Sequence, residues 1–178
     1  MAFAAVTQVG EAFVGVGAEA AHVNTVLGRR GGPVETAWAT ALATPRAGHV
    51  PFVVVLRPNL PVQPPTLFVN KATLGGDERH ERFTWGAAQA GVAAGVTAAV
   101  HAGVVPAAEV GALLLIAAVW VAAGASDEEL VFANNRDATE TALAAGASGA
   151  PPIGEVLAAG EPENPYFRQP ARPAGTSG

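Results

Sequence analysis

The order of apolar segments along this 178-residue chain predicts an α/β fold, an α+β sandwich in which a sheet of about five strands carries helices on one face. Three observations lead there. Short runs rich in Val, Ile, Leu and Phe alternate with stretches whose apolar residues recur every four positions. Half of the residues are apolar and only 14% are charged, enough to bury a core in one domain, assigned to residues 1–160, without staples. The chain has no cysteine, which removes disulfides, thiolate ligands and cysteine nucleophiles from consideration.

The elements follow in order. A strand at residues 13–17 leads through a turn into a second at 20–27. Residues 28–32 form a loop, and Pro33 suits the first turn of a helix, where its missing N–H costs nothing. Val34, Trp38 and Leu42 then share one face at four-residue spacing. Residues 52–56 are a continuous apolar run of the kind found in central strands. Prolines at 58, 61, 64 and 65 make the next connection non-helical. A strand at 67–74 closes at Gly75-Gly76, and the charged run 77–82 reads as a solvated connection. A helix begins around Trp85 with a stripe of Val92, Val96, Val100 and Val104; Gly91 and Gly95 allow a neighbour to approach closely, and Pro106 ends it. A strand at 113–121 precedes Ser126-Asp127-Glu128-Glu129, which matches a capping box opening a helix to about residue 145. Residues 146–152 are a small-residue linker. The Pro-rich segment 161–178 is a tail, loosely ordered beyond Arg168.

Charge narrows the functional classes. The net charge is −5 and no basic block exceeds Arg29-Arg30, which argues against a nucleic-acid partner. Residues 110–126 carry no charge, yet acidic residues bracket them and no basic residue flanks them, so a buried strand is favoured over a membrane span. No positive charge precedes Arg29, so the basic start of a secretory signal is missing, and the lack of cysteine fits a reducing compartment. So sparse a charged surface points to an oligomer.

Lys71 is the chain's single lysine, among nine arginines. Arginine keeps its proton at usable pH, whereas the lysine ammonium is a point charge whose pKa moves on burial, which singles Lys71 out. Residues two apart in a strand share a face, so His22 pairs with Asn24, and Lys71 with Thr73. Imidazole, amide, ammonium and hydroxyl on an apolar sheet suit a small polar substrate, and a half-exposed sheet face is the plainer alternative. His22, His49, His80 and His101 share no metal-ligand spacing, and no nucleotide-binding loop or nucleophile elbow occurs. The Arg29–Pro33 segment ahead of a helix is either an anion site or, preferably, a solvated turn.

Several segments in one order carry a resemblance: Gly10-Glu11-Ala12-Phe13-Val14-Gly15, Glu19-Ala20-Ala21-His22-Val23-Asn24, Gly31-Gly32-Pro33-Val34-Glu35-Thr36-Ala37, Arg57-Pro58-Asn59-Leu60-Pro61, Thr66-Leu67-Phe68-Val69-Asn70-Lys71-Ala72-Thr73 and Gly86-Ala87-Ala88-Gln89-Ala90-Gly91-Val92. The series resembles the formaldehyde-activating enzyme family. That likeness implies a fold like the second domain of ribosomal protein S5, a cytoplasmic homopentamer, and no metal or permanently bound cofactor. The activity it implies is condensation of formaldehyde with tetrahydromethanopterin, the co-substrate, to 5,10-methylene-tetrahydromethanopterin and water. It further implies His22 as catalytic acid and Asn24, Val53, Lys71, Thr73 and Gln89 as substrate-binding positions. Asn24 stands where the family usually has aspartate, Val53 where it has leucine, and Ala90 where histidine is common. Lys71 can either donate a hydrogen bond or form a Schiff base; the sequence reading prefers the first. A paralogue that binds pterin or formaldehyde without turnover, or the same condensation on another amine carrier, is the alternative that Asn24 leaves open.

Overall fold

The computed structural model describes residues 7–164. Its main sheet has five strands in the order β1 (Thr7–Val14), β2 (Ala21–Arg29), β7 (Leu113–Trp120), β6 (Thr66–Asn70) and β3 (Phe52–Val53). β7 runs antiparallel to β2 and parallel to β6; the outer pairs β1–β2 and β3–β6 are antiparallel. Strands β4 (Val55–Arg57) and β5 (Leu60–Pro61) form a separate two-stranded hairpin.

Alternation along the central strands sorts their side chains. Ala21, Val23, Thr25 and Leu27 of β2, with Leu113, Leu115, Ala117 and Val119 of β7, are buried on one face. Helices α3 (Gln89–His101) and α4 (Glu128–Ser148) cover that face and contact each other along their length. Val92 and Val96 are fully buried there. Gly91 and Gly95 are what let the two helices meet: a Cβ at Gly95 would fall 2.5 Å from the Arg136 carbonyl oxygen, and one at Gly91 as close to that of Phe132. The sandwich expected from the sequence is thus present. Helix α1 (Pro33–Ala43) packs on β2 and β7 through Val34, which is buried outside the main core, as is Leu114 of β7. Gly28 pairs with Leu114, so α1 serves the Arg29 end of the sheet and leaves the His22 end clear of it. Of the expected stripe on α1 only Val34 is buried, and Leu42 is exposed.

Several boundaries differ from the sequence reading, each for a local reason. The first strand lies upstream of residues 13–17, because Gln8, Gly10 and Glu11 interrupt the apolar signal while still pairing with β2. The run 52–56 breaks at Val54, whose N–H donates to Thr66 O and whose carbonyl accepts from Val62 N; it is an edge segment, not a central strand. The charged run 77–82 is helical: α2 (Glu78–Arg82) is capped by the Asp77 carboxylate, which accepts from the N–H groups of Arg79 and His80. His80 is buried there, its Nε2 donating to Val121 O at 2.9 Å. A wider turn, Phe83–Ala88, joins α2 to α3. The cap of α4 is Asp127, one residue later than the capping box suggests, while Glu19 accepts from both the N–H and the hydroxyl of Ser126. Helix α4 runs past residue 145 to Ser148, where Gly149 takes the left-handed conformation at φ 67°. A short helix, α5 (Ile153–Ala158), follows. Among the described residues no helix is long and apolar enough to cross a membrane, and 113–120 is strand. The expectation for the tail beyond Arg168 lies outside the described residues.

The α3–α4 contact makes a quantitative statement about stability. Gly95→Val forces the helices apart and is expected to cost about 1–3 kcal/mol, read as a lowered midpoint in urea with an unchanged slope. An unchanged midpoint would contradict the close approach.

Candidate active site

The sheet's register, rather than any continuous motif, assembles the site. Phe13 pairs with His22 and His22 with Trp120; one step along, Glu11 pairs with Asn24 and Asn24 with Ala118. All lie on the face opposite α3 and α4. The Lys71 N–H donates to Val119 O at 2.7 Å, which extends the β6–β7 ladder one residue past Asn70 and sets the lysine beside Trp120. Phe13, His22, Asn24, Lys71 and Trp120 thereby line one open hollow of about 200 Å³. Three strands contribute to it, with Lys71 arriving from the end of a fourth.

Two contacts fix the polar groups. His22 Nε2 lies 2.9 Å from Glu11 Oε1, and Lys71 Nζ donates to Asn24 Oδ1 at 2.9 Å. The Phe13 ring lies against the imidazole, centroids 5.9 Å apart. Burial, opposed by the charge of Glu11, pushes the Lys71 ammonium down to about 8. His22 is also pushed below its usual value, first by burial and then by the charge of Lys71, while Glu11 opposes the shift through charge and hydrogen bond. The ion pair seen in the geometry and the lowered imidazole pKa pull in opposite directions; burial and the neighbouring ammonium outweigh a carboxylate that is 59% exposed and therefore well screened. The surroundings thus favour the neutral form of the imidazole and leave the amine with a pKa of about 8.

The remaining sequence-predicted positions fall elsewhere in the chain. Val53 and Gln89 line a second, mostly apolar hollow of about 470 Å³ with Val50, Phe52, Val55 and Trp85. Gln89 is almost fully buried, its amide donating to Val55 O at 3.0 Å. Thr73 does not share a face with Lys71, because the strand ends at Asn70; its hydroxyl lies 3.1 Å from His49 Nε2, whose Nδ1 donates to Asn70 O. Ala90 lines a third hollow with Phe132. The Arg29–Pro33 segment is occupied by protein groups: Arg29 pairs with Glu109, Arg30 Nε donates to Gly111 O, and Glu35 accepts from the Gly31 N–H. Among the described residues no three His, Asp or Glu side chains are arranged to hold a metal.

Sequence reasoning missed Glu11, Phe13 and Trp120 as site residues. Glu11 and Phe13 were legible in principle, being two apart in a strand that pairs with the His22 strand. Trp120 required knowing that β7 pairs with β2, a contact across some ninety residues.

A model of the formaldehyde-activating enzyme (Fae) family matches residues 9–167. The chain is 39% identical over 161 residues to 5,6,7,8-tetrahydromethanopterin hydro-lyase of Methanosarcina barkeri, covering 90% of each chain. It is 39% identical over 150 residues to the bifunctional enzyme Fae/Hps of Methanosarcina mazei and 35% identical over 150 residues to that of Archaeoglobus fulgidus, covering 84% of this chain and 38% of each relative.

The electrostatics of the hollow can be read by NMR titration. Replacing Lys71 by Met is expected to raise the His22 pKa by removing a neighbouring cation, and Glu11→Gln to lower it by removing a carboxylate. Shifts in the opposite directions would overturn this assignment of causes.

Proposed function

This chain belongs to the formaldehyde-activating enzyme family, and we propose that it condenses formaldehyde with tetrahydromethanopterin, giving 5,10-methylene-tetrahydromethanopterin and water. The observation that carries the reading is that His22, paired with Glu11, lines the same hollow as Lys71. A secondary amine adds to formaldehyde unaided; the slow part is loss of the hydroxyl from the carbinolamine. His22 protonates that oxygen as general acid, and water leaves. Glu11 holds Nε2 and favours the imidazolium at the moment it is needed, which leaves Nδ1 for the substrate. The carboxylate that the family usually has at position 24 is absent, and Glu11 is the carboxylate in contact with the imidazole. Asn24 instead accepts from Lys71.

The hollow is too shallow to enclose a pterin. Val9 and Phe13 are exposed on β1, and Val9 is 65% exposed, so the apolar sheet face around the site calls for a cover. In the reading we favour, a neighbouring subunit supplies it, bringing its Val53, Thr73 and Gln89 to the substrate and closing a homopentameric ring in the cytoplasm. In this reading the catalytic unit is the domain at residues 1–160.

Two measurements test this. With formaldehyde and tetrahydromethanopterin, His22→Ala is expected to lower turnover by about 10²–10⁴-fold; wild type and variant both at the spontaneous rate would overturn it, and pterin binding without turnover would make the chain a binding protein. Light scattering is expected to give a ring of five 17.8 kDa subunits, and a monodisperse monomer would refute the shared site.

A further inference from the structure

We propose that Lys71 captures formaldehyde covalently and passes its carbon to the acceptor amine, so that the lysine is a carrier of the one-carbon unit rather than only a hydrogen-bond donor. This rests on the proposed condensation for its second half, and its first half is measurable without a pterin.

Lys71 is set apart by what it touches. Its Nζ donates to Asn24 Oδ1, the oxygen of a neutral amide. A carboxylate at that distance would hold the nitrogen as ammonium. An amide oxygen needs only one N–H, which a neutral amine supplies while keeping its lone pair. The carboxylate nearest the hollow, Glu11, is engaged with His22 Nε2. Burial acts in the same direction: with a pKa of about 8, about one Lys71 in ten is neutral at pH 7, against roughly one in three thousand for an ordinary lysine. Lys71 is also the chain's single lysine, and there is no cysteine, so the protein offers formaldehyde no competing side-chain amine or thiol.

The steps balance without any oxidant or reductant. Neutral Nζ attacks the formaldehyde carbon, the C=O π pair moves to oxygen, and a proton shifts from nitrogen to oxygen to give the carbinolamine. His22 imidazolium, facing the same hollow, gives its proton to that hydroxyl, so the carbinolamine it dehydrates is carried on Lys71 in place of the one on the free substrate amine. Water departs with the C–O pair, and the nitrogen lone pair forms a methylene iminium. The secondary amine of the substrate then adds to the methylene carbon. The proton of the attacking amine passes to the Lys71 nitrogen, which leaves with the C–N pair as neutral amine; the substrate's second nitrogen closes the ring and its proton returns to His22. The preference for a purely hydrogen-bonding Lys71 rests on a stable imine diverting the substrate. A methylene iminium bears no carbon substituent to shield it and exchanges readily to an incoming amine, so it lies on the path.

The same arrangement sets a pH profile. The reactive form, imidazolium beside neutral amine, carries as many protons as neutral imidazole beside ammonium. kcat/KM is therefore expected to be level between the His22 pKa and about 8 and to fall outside that interval. A charged Lys71 beside an acidic His22 would instead lose activity as pH rises through the lower value.

Reductive trapping is the deciding experiment. The full-length protein is treated with ¹³C-formaldehyde and cyanoborohydride at pH 7 without pterin, and methylation is located by peptide mass mapping. Lys71 is expected to be methylated at least tenfold faster in the native protein than in the urea-unfolded chain, and at least tenfold slower in Asn24→Asp, with circular dichroism showing that variant folded. Labelling of native Lys71 no faster than in the unfolded chain, or unchanged labelling in Asn24→Asp, would overturn the capture. Wild-type turnover without trapping would sink this proposal and leave the condensation standing. Trapping without turnover would retain the adduct and overturn both the transfer step and the proposed function.

Discussion

The His22 end of the sheet is only half covered, and the properties of the site follow from that. The helices α3 and α4 occupy the other face, and α1 reaches the opposite end. His22 and Lys71 are therefore removed from part of their water without being enclosed. Partial desolvation lowers both pKa values, and the proximity of two potential cations adds to the effect on the imidazole. A fully buried pair would need compensating carboxylates on both groups, and a fully exposed pair would titrate like free side chains. Half burial, with Glu11 on one group and Asn24 on the other, biases the imidazole towards its neutral form and brings the amine down to about 8.

The strand order is what makes this economical. β7 lies between β2 and β6, so residues from the beginning and the middle of the chain meet across one central strand, Lys71 lying one residue past the end of β6. The backbone ladder fixes spacing: the Lys71 N–H bond to Val119 holds the lysine at the end of β6, and the pairing of His22 with Trp120 sets the imidazole one strand away. Groups tied to a backbone ladder are held more rigidly than groups on free loops, which suits the proposed condensation. The same half cover leaves an apolar rim around the hollow, and Val53 with Gln89 forms a second hollow in the same subunit that does not join the first. One chain thus presents two partial surfaces, complementary in character: one polar and reactive, one apolar with a buried amide.

Much of this was legible in the sequence. Period-two alternation placed His22 beside Asn24, the small-residue stripe identified where α3 and α4 meet, and the lysine count singled out Lys71. What escaped has physical causes. β1 is recognisable only through its partner, because Gly10 and Glu11 break its apolar run while α4 packs closely on Gly10. The charged run at 77–82 looked like a loop because its polar residues hide a helix capped by Asp77 with one buried histidine. Thr73 was assigned to the face of Lys71 on the premise that the strand continued, and it stops at Asn70. Trp120 joined the site through a pairing of distant segments that no local pattern encodes.

In the proposed ring the two partial surfaces belong to one site shared by adjacent subunits. Subunit complementation measures that directly. Two deficient variants, His22→Ala and Gln89→Ala, damage different halves; when the purified proteins are unfolded together and reassembled, rings containing both will hold some junctions where an intact His22 half meets an intact Gln89 half. The account predicts that condensation activity returns in the mixture while each variant reassembled alone stays deficient. A mixture no more active than its parents would contradict it.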